Sequence, residues 1–267
     1  MDMEKIYAIQ KEEEQVKALY ELFDEKERLI RSKSASVEFL TSVYYIEKYL
    51  QQGMKFLDIG AGSGEYSRYF ADKGFDVTAV ELSEKNIRDF KEKITENMKI
   101  ELLQGNALDL SVFPDESFDV VLLMGPLYHL KSKEDQQKCI REALRVLKKG
   151  GVIFFAFITH DIIFMTELMY NADYFKSSDF DHETMRLMDF PFVFHTIEEA
   201  HKLTDLPELD TLHEIAVDGL AELMQKRIDA MDAESFSAYL RWHFMVCEKK
   251  EFLGASNHLL IAAKKRQ

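Results

Sequence analysis

The chain of 267 residues predicts an α/β fold, a doubly wound, mostly parallel sheet covered by helices on both faces. Three observations predict it. Short apolar runs alternate with amphipathic helical stretches through the middle of the chain. Runs such as Val120-Val121-Leu122-Leu123 are apolar throughout, as strands buried on both faces are. A glycine-rich loop, Gly60-Ala61-Gly62-Ser63-Gly64, joins the first run to the first helix of the alternation.

Residues 1–50 come first, with Ile6, Ile9, Val16, Leu19, Tyr20 and Phe23, then Val37, Leu40, Val43 and Tyr44 at helical spacing. They read as an N-terminal helical cap, broken around Ser32, Ser34 and Ser36. Residues 51–160 read as the core. Lys55 to Ile59 is a strand, Glu65 to about Lys73 a helix closed by Gly74, and Asp76 to Val80 a strand ending in Glu81. Ser83 caps a helix running to about Glu96. Strands follow at Lys99–Gln104 and Phe118–Met124, then a helix over Lys133–Leu147 stopped by Gly150-Gly151, and a strand at Val152–Ile158.

Beyond Asp161 the alternation is lost. Segments 161–205 and 219–250 read as a mostly helical substrate cap, with helices at His195–Leu203, Leu220 to about Met231 and Glu234–Glu248. Segments 206–218 and 255–267 hold the last strands, Thr211–Val217 and His258–Ala263. With no repeat and no low-complexity linker, the whole reads as one domain.

Composition narrows the function. Hydrophobic residues at 46% and charged residues at 31% exclude wholesale disorder. A formal net charge of −14 repels a nucleic-acid backbone, so no nucleic-acid partner is expected. The acidic start and the brevity of the apolar run Val152–Thr159 give no leader and no membrane span, and a cytoplasmic location is the expectation. Cys139 and Cys247 stand far apart, and no histidine set has ligand spacing; neither disulfide nor metal is expected.

The stretch Phe56-Leu57-Asp58-Ile59-Gly60-Ala61-Gly62-Ser63-Gly64-Glu65 carries the functional reading. Its glycines let the backbone turn sharply and touch a ligand, and the following helix presents free N–H groups to a negative group. A dinucleotide fingerprint, G-x-G-x-x-G, needs glycine at position 65, where a carboxylate would face phosphates. That opposes a nicotinamide-dependent oxidoreductase. Glu81, at the tip of the second strand, is placed to accept both hydroxyls of a ribose.

Three blocks, LDIGAGSGEYSRYFADKGFDVTAVELSEKNI, GNALDL with FPDESFDVVLLMGPLYHL, and ALRVLKKGGVIFFAF, resemble the class I S-adenosylmethionine-dependent methyltransferases, and the closing NHLLIAAKK resembles their reversed last strand. The resemblance spans roughly residues 54–160. It implies a doubly wound seven-stranded sheet with the last strand reversed, and S-adenosylmethionine as cofactor, with S-adenosylhomocysteine as product, lying across the strand tips. By position, Asp58, Gly60, Ala61, Gly62 and Gly64 would line its methionine and ribose part, and Glu81 would bind ribose. Leu82 would pack on adenine, Asn106 and Ala107 would meet its edge, and Met124 and Gly125 would border the reacting methyl. Many relatives carry Asp where this chain has Asn106.

For the acceptor side, Tyr128 and His129 follow the fourth strand, and His160, beside Asp161, ends the fifth. Each is a candidate substrate contact or base. The Asn/Asp-Pro-Pro-Tyr/Phe block of relatives that methylate DNA bases or protein glutamine is missing at Gly125-Pro126-Leu127-Tyr128. The aromatic-rich set Phe164, Tyr170, Tyr174, Phe175, Phe190, Phe192 and Phe194 either faces the acceptor or forms the cap's own core. A small-molecule methyltransferase is the leading reading. The alternatives are a methyltransferase for RNA or protein and a non-catalytic S-adenosylmethionine-binding protein. Oligomeric state is not legible.

Overall fold

The computed structural model describes residues 5, 6, 8–23, 25–189 and 191–267. Two helices lead, α1 (Glu12–Leu22) and α2 (Lys33–Glu47). The alternation then runs β1 (Lys55–Ile59), α3 (Glu65–Asp72), β2 (Asp76–Glu81), α4 (Glu84–Lys93), β3 (Ile100–Gln104), β4 (Phe118–Leu123), α5 (Lys133–Val146) and β5 (Leu147–Thr159). Beyond it lie α6 (Ile163–Tyr170), β6 (Phe194–His195), α7 (Ile197–Thr204), β7 (Leu209–Ala216), α8 (Gln225–Asp229), α9 (Ala233–Val246), α10 (Lys250–Leu253) and β8 (His258–Lys265).

The strands form one sheet in the order β3-β2-β1-β4-β5-β8-β7, with the two-residue β6 paired to the end of β5. All neighbours are parallel except β8, which runs antiparallel to β5 and β7. The sequence predicts seven strands with the last reversed, and β6 is the addition. Chain order reverses between β1 and β4, so the loops after these strands part toward opposite faces and leave a crevice at their carboxyl ends. Phe56, Leu57, Phe154, Phe155 and Phe157 are fully buried beneath that crevice.

Local chemistry explains the elements. Ser32, Ser83 and Ser132 cap α2, α4 and α5 through their side-chain oxygens, and Thr196 with Glu199 forms a capping box on α7. Gly74 takes φ +89 after α3. The start of α2 is further fixed by Asp229, whose Oδ1 accepts from the Ser34 amide at 2.8 Å. Val37 packs with Ala221 and Ile228, so α2, α8 and α9 share a small core.

Several boundaries differ from expectation. Ser34 and Ser36 lie within α2, and only Ser32 marks its start. α5 passes directly into β5 at Leu147, and Gly150-Gly151 lie inside that strand at a register shift opposite Phe118 and Val120. A Cβ on Gly151 would stand 2.8 Å from the Asp119 carbonyl, so the bulge rather than a helix stop requires glycine. Residues 161–189 are mostly irregular, since α6 and a short 3-10 turn at Tyr174–Lys176 are the only helical pieces among them. His195 belongs to β6, and the Leu220–Met231 helix shrinks to α8.

Gly64 meets two constraints at once. Its φ is +86, and an added Cβ would lie 2.3 Å from the Phe90 ring. Gly53 has φ +84 with open space around it. Gly64→Ala should therefore cost about 3 kcal/mol of unfolding free energy, from left-handed strain of about 1–2 kcal/mol and overpacking of about 1–3 kcal/mol. Gly53→Ala should lose only the first part. Urea denaturation of both variants checks this, and equal losses would contradict the packing account.

Candidate functional site

The crevice is built from two loops in contact. Gly60 takes φ +76, and a Cβ there would stand 2.7 Å from Pro126 Cδ; a Cβ on Gly125 would stand 3.1 Å from the Gly60 carbonyl oxygen. The amides of Gly60 and Ala61 both donate to the Val80 carbonyl, at 2.8 and 3.1 Å, which ties the β1 loop to the end of β2. Glu81 completes the tie. Its carboxylate accepts from the amides of Gly62 and Ser83, both at 2.8 Å, and from Asn86 Nδ2 at 3.3 Å. Burial raises its pKa and these donors oppose the rise.

Between these loops lies a cavity of about 330 Å³. Gly60, Glu81, Leu82, Asn106, Ala107 and Gly125 meet in its wall, joined by His129 and Leu130. α1 supplies the remaining side through Glu12, Glu13, Val16 and Tyr20. Its attachments are specific. Tyr20 Oη lies 2.7 Å from His129 Nε2, Glu13 accepts from Asn106 Nδ2 at 3.2 Å, and Glu12 accepts from the Lys131 amide at 2.6 Å. Burial holds His129 down to about 4, so its ring is uncharged at neutral pH.

A second cavity, of about 300 Å³, shares Tyr20 with the first. Phe23, Tyr128, Phe192 and Tyr170 give it aromatic walls. Its polar side is a chain of opposite charges. Arg28 donates to Glu25 at 2.8 Å and in a fork to Glu38 at 2.7 and 3.3 Å. His258 Nδ1 lies 2.8 Å from Asp218 Oδ2 and 3.6 Å from Glu38 Oε2. Burial opposes charge on His258, but Glu38 and Asp218 override it and raise its pKa to about 9.

The remaining predicted residues lie elsewhere. Asp58, Ala61, Gly62, Gly64 and Met124 do not line the first cavity. Asp58 Oδ2 accepts from Ser67 Oγ at 2.7 Å inside the start of α3, and burial pushes its carboxyl up to about 6. Asn106 Oδ1 already accepts from the Leu108 amide at 2.9 Å, so its side chain closes a turn. Tyr128 walls the second cavity, but its hydroxyl donates to the Met124 carbonyl at 2.8 Å.

His160 lines neither cavity. Its Nδ1 lies 2.8 Å from Asp161 Oδ1, as the sequence pair suggests, but its Nε2 accepts from the Leu187 amide at 3.1 Å. Both nitrogens are used, and the residue pins the cap to the end of β5. The aromatic set divides in the same way. Phe164, Tyr174 and Phe180 form a separate small core with Leu187, whereas Tyr170 and Phe192 reach the second cavity; Phe190 lies outside the described residues.

Sequence reasoning missed Tyr20, Arg28, Glu38, Asp218 and His258. No spacing signal could have found them, since the fold brings them from α1, the segment before α2, α2, the end of β7 and the start of β8. Glu65, which opposes the dinucleotide reading, is answered locally by the Lys93 ammonium, which also donates to Ser63 Oγ at 3.2 Å.

Comparison with known proteins agrees with this arrangement. Residues 57–155 match the family described as Methyltransferase domain. A Bacillus subtilis protein named putative methyltransferase YqeM is 32% identical over 111 residues, 42% of this chain and 45% of that protein. A Listeria monocytogenes demethylmenaquinone methyltransferase is 36% identical over 107 residues, 38% of this chain and 44% of that protein. The chain thus matches less than half the length of these relatives. The crystal structure of an S-adenosylmethionine-dependent methyltransferase from Methanosarcina mazei superposes with a TM-score of 0.55 at 21% identity, covering 83% of this chain and 97% of that one. Residues 57–155 therefore match a methyltransferase domain, on a fold shared with that S-adenosylmethionine-dependent methyltransferase.

Proposed function

We propose that the chain transfers a methyl group from S-adenosylmethionine to a small-molecule acceptor. The observation that carries this reading is the pair of cavities meeting at Tyr20, one against the glycine loop and Glu81, the other against the tips of β5 and β8. The first suits an adenosine. It offers one buried carboxylate, Glu81, beside apolar Leu82, Val16 and Leu130, and it is bounded by glycines that leave no room for a Cβ. The amide groups opening α3, which has no side-chain cap, suit the cofactor's amino-acid carboxylate.

When bound, the cofactor supplies a methyl group on a sulfonium centre. This chain's part is to hold the acceptor in line and keep water out. α1 does the second, through Tyr20 on His129 and Glu13 on Asn106. The size of the second cavity, and relatives whose name carries demethylmenaquinone, favour a small acceptor over RNA or protein. No helix among the described residues is long and apolar enough to cross a membrane.

Calorimetric titration should give micromolar S-adenosylhomocysteine binding (about −8 kcal/mol) and none for NAD. Glu81→Gln should weaken that binding about 10- to 100-fold, by removing charge-assisted bonds worth roughly 1.5–3 kcal/mol each. Equal binding would remove Glu81 from the ribose. Tyr20→Phe should speed S-adenosylhomocysteine release about 3- to 10-fold, as one lost hydrogen bond of roughly 0.5–1.5 kcal/mol implies. An unchanged stopped-flow release rate would show that α1 does not close the site. Turnover is read as S-adenosylhomocysteine formed over a panel of phenols, amines and carboxylates. Binding with no turnover of any panel member would remove the transferase and leave a cofactor-binding protein.

A further inference from the structure

We infer that His258, held by Asp218, takes the proton of an aromatic hydroxyl in the second cavity, so that the acceptor is a phenol methylated on oxygen. The inference rests on the methyltransferase reading and names its acceptor class.

His258 opens β8 and pairs in register with Ile158, near the end of β5, so it stands at the strand-tip edge where the cavity lies. Asp218 fixes it at two points, accepting from its backbone amide at 3.1 Å and from Nδ1 at 2.8 Å, while Ser256 Oγ donates to the same carboxylate. With Nδ1 committed as donor, Nε2 is the nitrogen available to an acceptor, and it makes no hydrogen bond among the described residues.

The groups around the cavity suit an aromatic hydroxyl. Among the described residues, each carboxylate lining it is hydrogen-bonded: Glu25 and Glu38 by Arg28, Asp218 by His258, and Glu222 by the neutral Tyr170 and Asn257. Among the described residues lining the cavity, His258 Nε2, the Arg31 guanidinium and the Gln225 side-chain carbonyl make no hydrogen bond. An oxygen that becomes negative is favoured beside the Arg31 guanidinium and the imidazolium that forms as His258 takes the proton. Tyr20, Phe23, Tyr128 and Phe192 suit a flat ring. The hydroxyls of Tyr20 and Tyr128 are committed, to His129 and to the Met124 carbonyl, which leaves His258 as the base.

In the step, the acceptor's O–H bond breaks and the proton binds Nε2. The oxygen forms a bond to the methyl carbon as the carbon–sulfur bond breaks, the sulfur keeping the electron pair. The imidazolium then returns its proton to water. A base near 9 is well matched to a phenol of about 10. Glu38 and Asp218 raise the His258 value, and Arg28 opposes them.

The test uses phenol, catechol and 1-naphthol, with aniline and benzoate as comparisons, and identifies products by mass spectrometry. The expected result is O-methylation whose rate climbs about tenfold per pH unit and levels near pH 9. His258→Gln should lower kcat about 10²- to 10⁴-fold, with KM within a few-fold and S-adenosylhomocysteine affinity within twofold. The His258 ring, followed by NMR in the wild-type protein, should titrate near pH 9, and Asp218→Asn should bring that value down. If His258→Gln does not fold, the wild-type pH profile and the ring titration decide. Undiminished O-methylation by His258→Gln, products methylated only on nitrogen or carbon, or cofactor binding with no phenol turned over would each overturn the inference. A ring titrating at the ordinary histidine value would do so too. Failure to bind S-adenosylhomocysteine would instead strike the methyltransferase reading itself.

Discussion

The close approach of the loops after β1 and β4 sets the rest of the site. Gly60 and Gly125 pack so tightly that neither accepts a Cβ without displacing Pro126 or the Gly60 carbonyl. That contact fixes where β1 ends, and the amides of Gly60, Ala61 and Gly62 then fall within reach of Val80 and Glu81 on β2. Glu81 is thus held by main-chain donors before any ligand arrives. A carboxylate preorganised in this way costs no rearrangement when it binds. It is also costly to remove, because its buried donors would be left unsatisfied.

The N-terminal segment turns that crevice into two cavities. Tyr20 belongs to both, Phe23 and Arg28 to the second alone; Tyr20 is anchored to His129 and Arg28 to Glu38 of α2. The second cavity is therefore assembled from pieces that are distant in sequence. Its polarity alternates, with three carboxylates, Glu25, Glu38 and Asp218, arranged around two cations, Arg28 and His258. Charges this close and partly desolvated are stable only when each has an opposite charge beside it.

The core was legible because its signals are local. The glycine loop, the serine caps and the fully apolar strands each act over a few residues, and they place β1 and β2 within a residue of their observed bounds. Gly60, Glu81, Leu82, Asn106, Ala107 and Gly125 come together because motif spacing fixes them on adjacent strand tips. The acceptor side follows different physics. His160 sits at the expected strand tip, yet its Nε2 is used by Leu187, twenty-seven residues on. His258 has no local signal, and its role emerges only when β8 inserts antiparallel between β5 and β7. The segment 161–189 carries many apolar residues without helical period, and it folds on Phe164 and Tyr174 as an irregular cap.

The central claim is that the crevice between the β1 and β4 loops holds the adenosine end of S-adenosylhomocysteine, with α1 closed over it. A crystal structure of the protein grown with S-adenosylhomocysteine tests this most directly. The account predicts the ribose against Glu81, the adenine beside Leu82 and Ala107, and Tyr20 in contact with His129. Ligand in another cavity, or a crevice left empty at saturating S-adenosylhomocysteine with Glu81 still bound only to Gly62, Ser83 and Asn86, would contradict it.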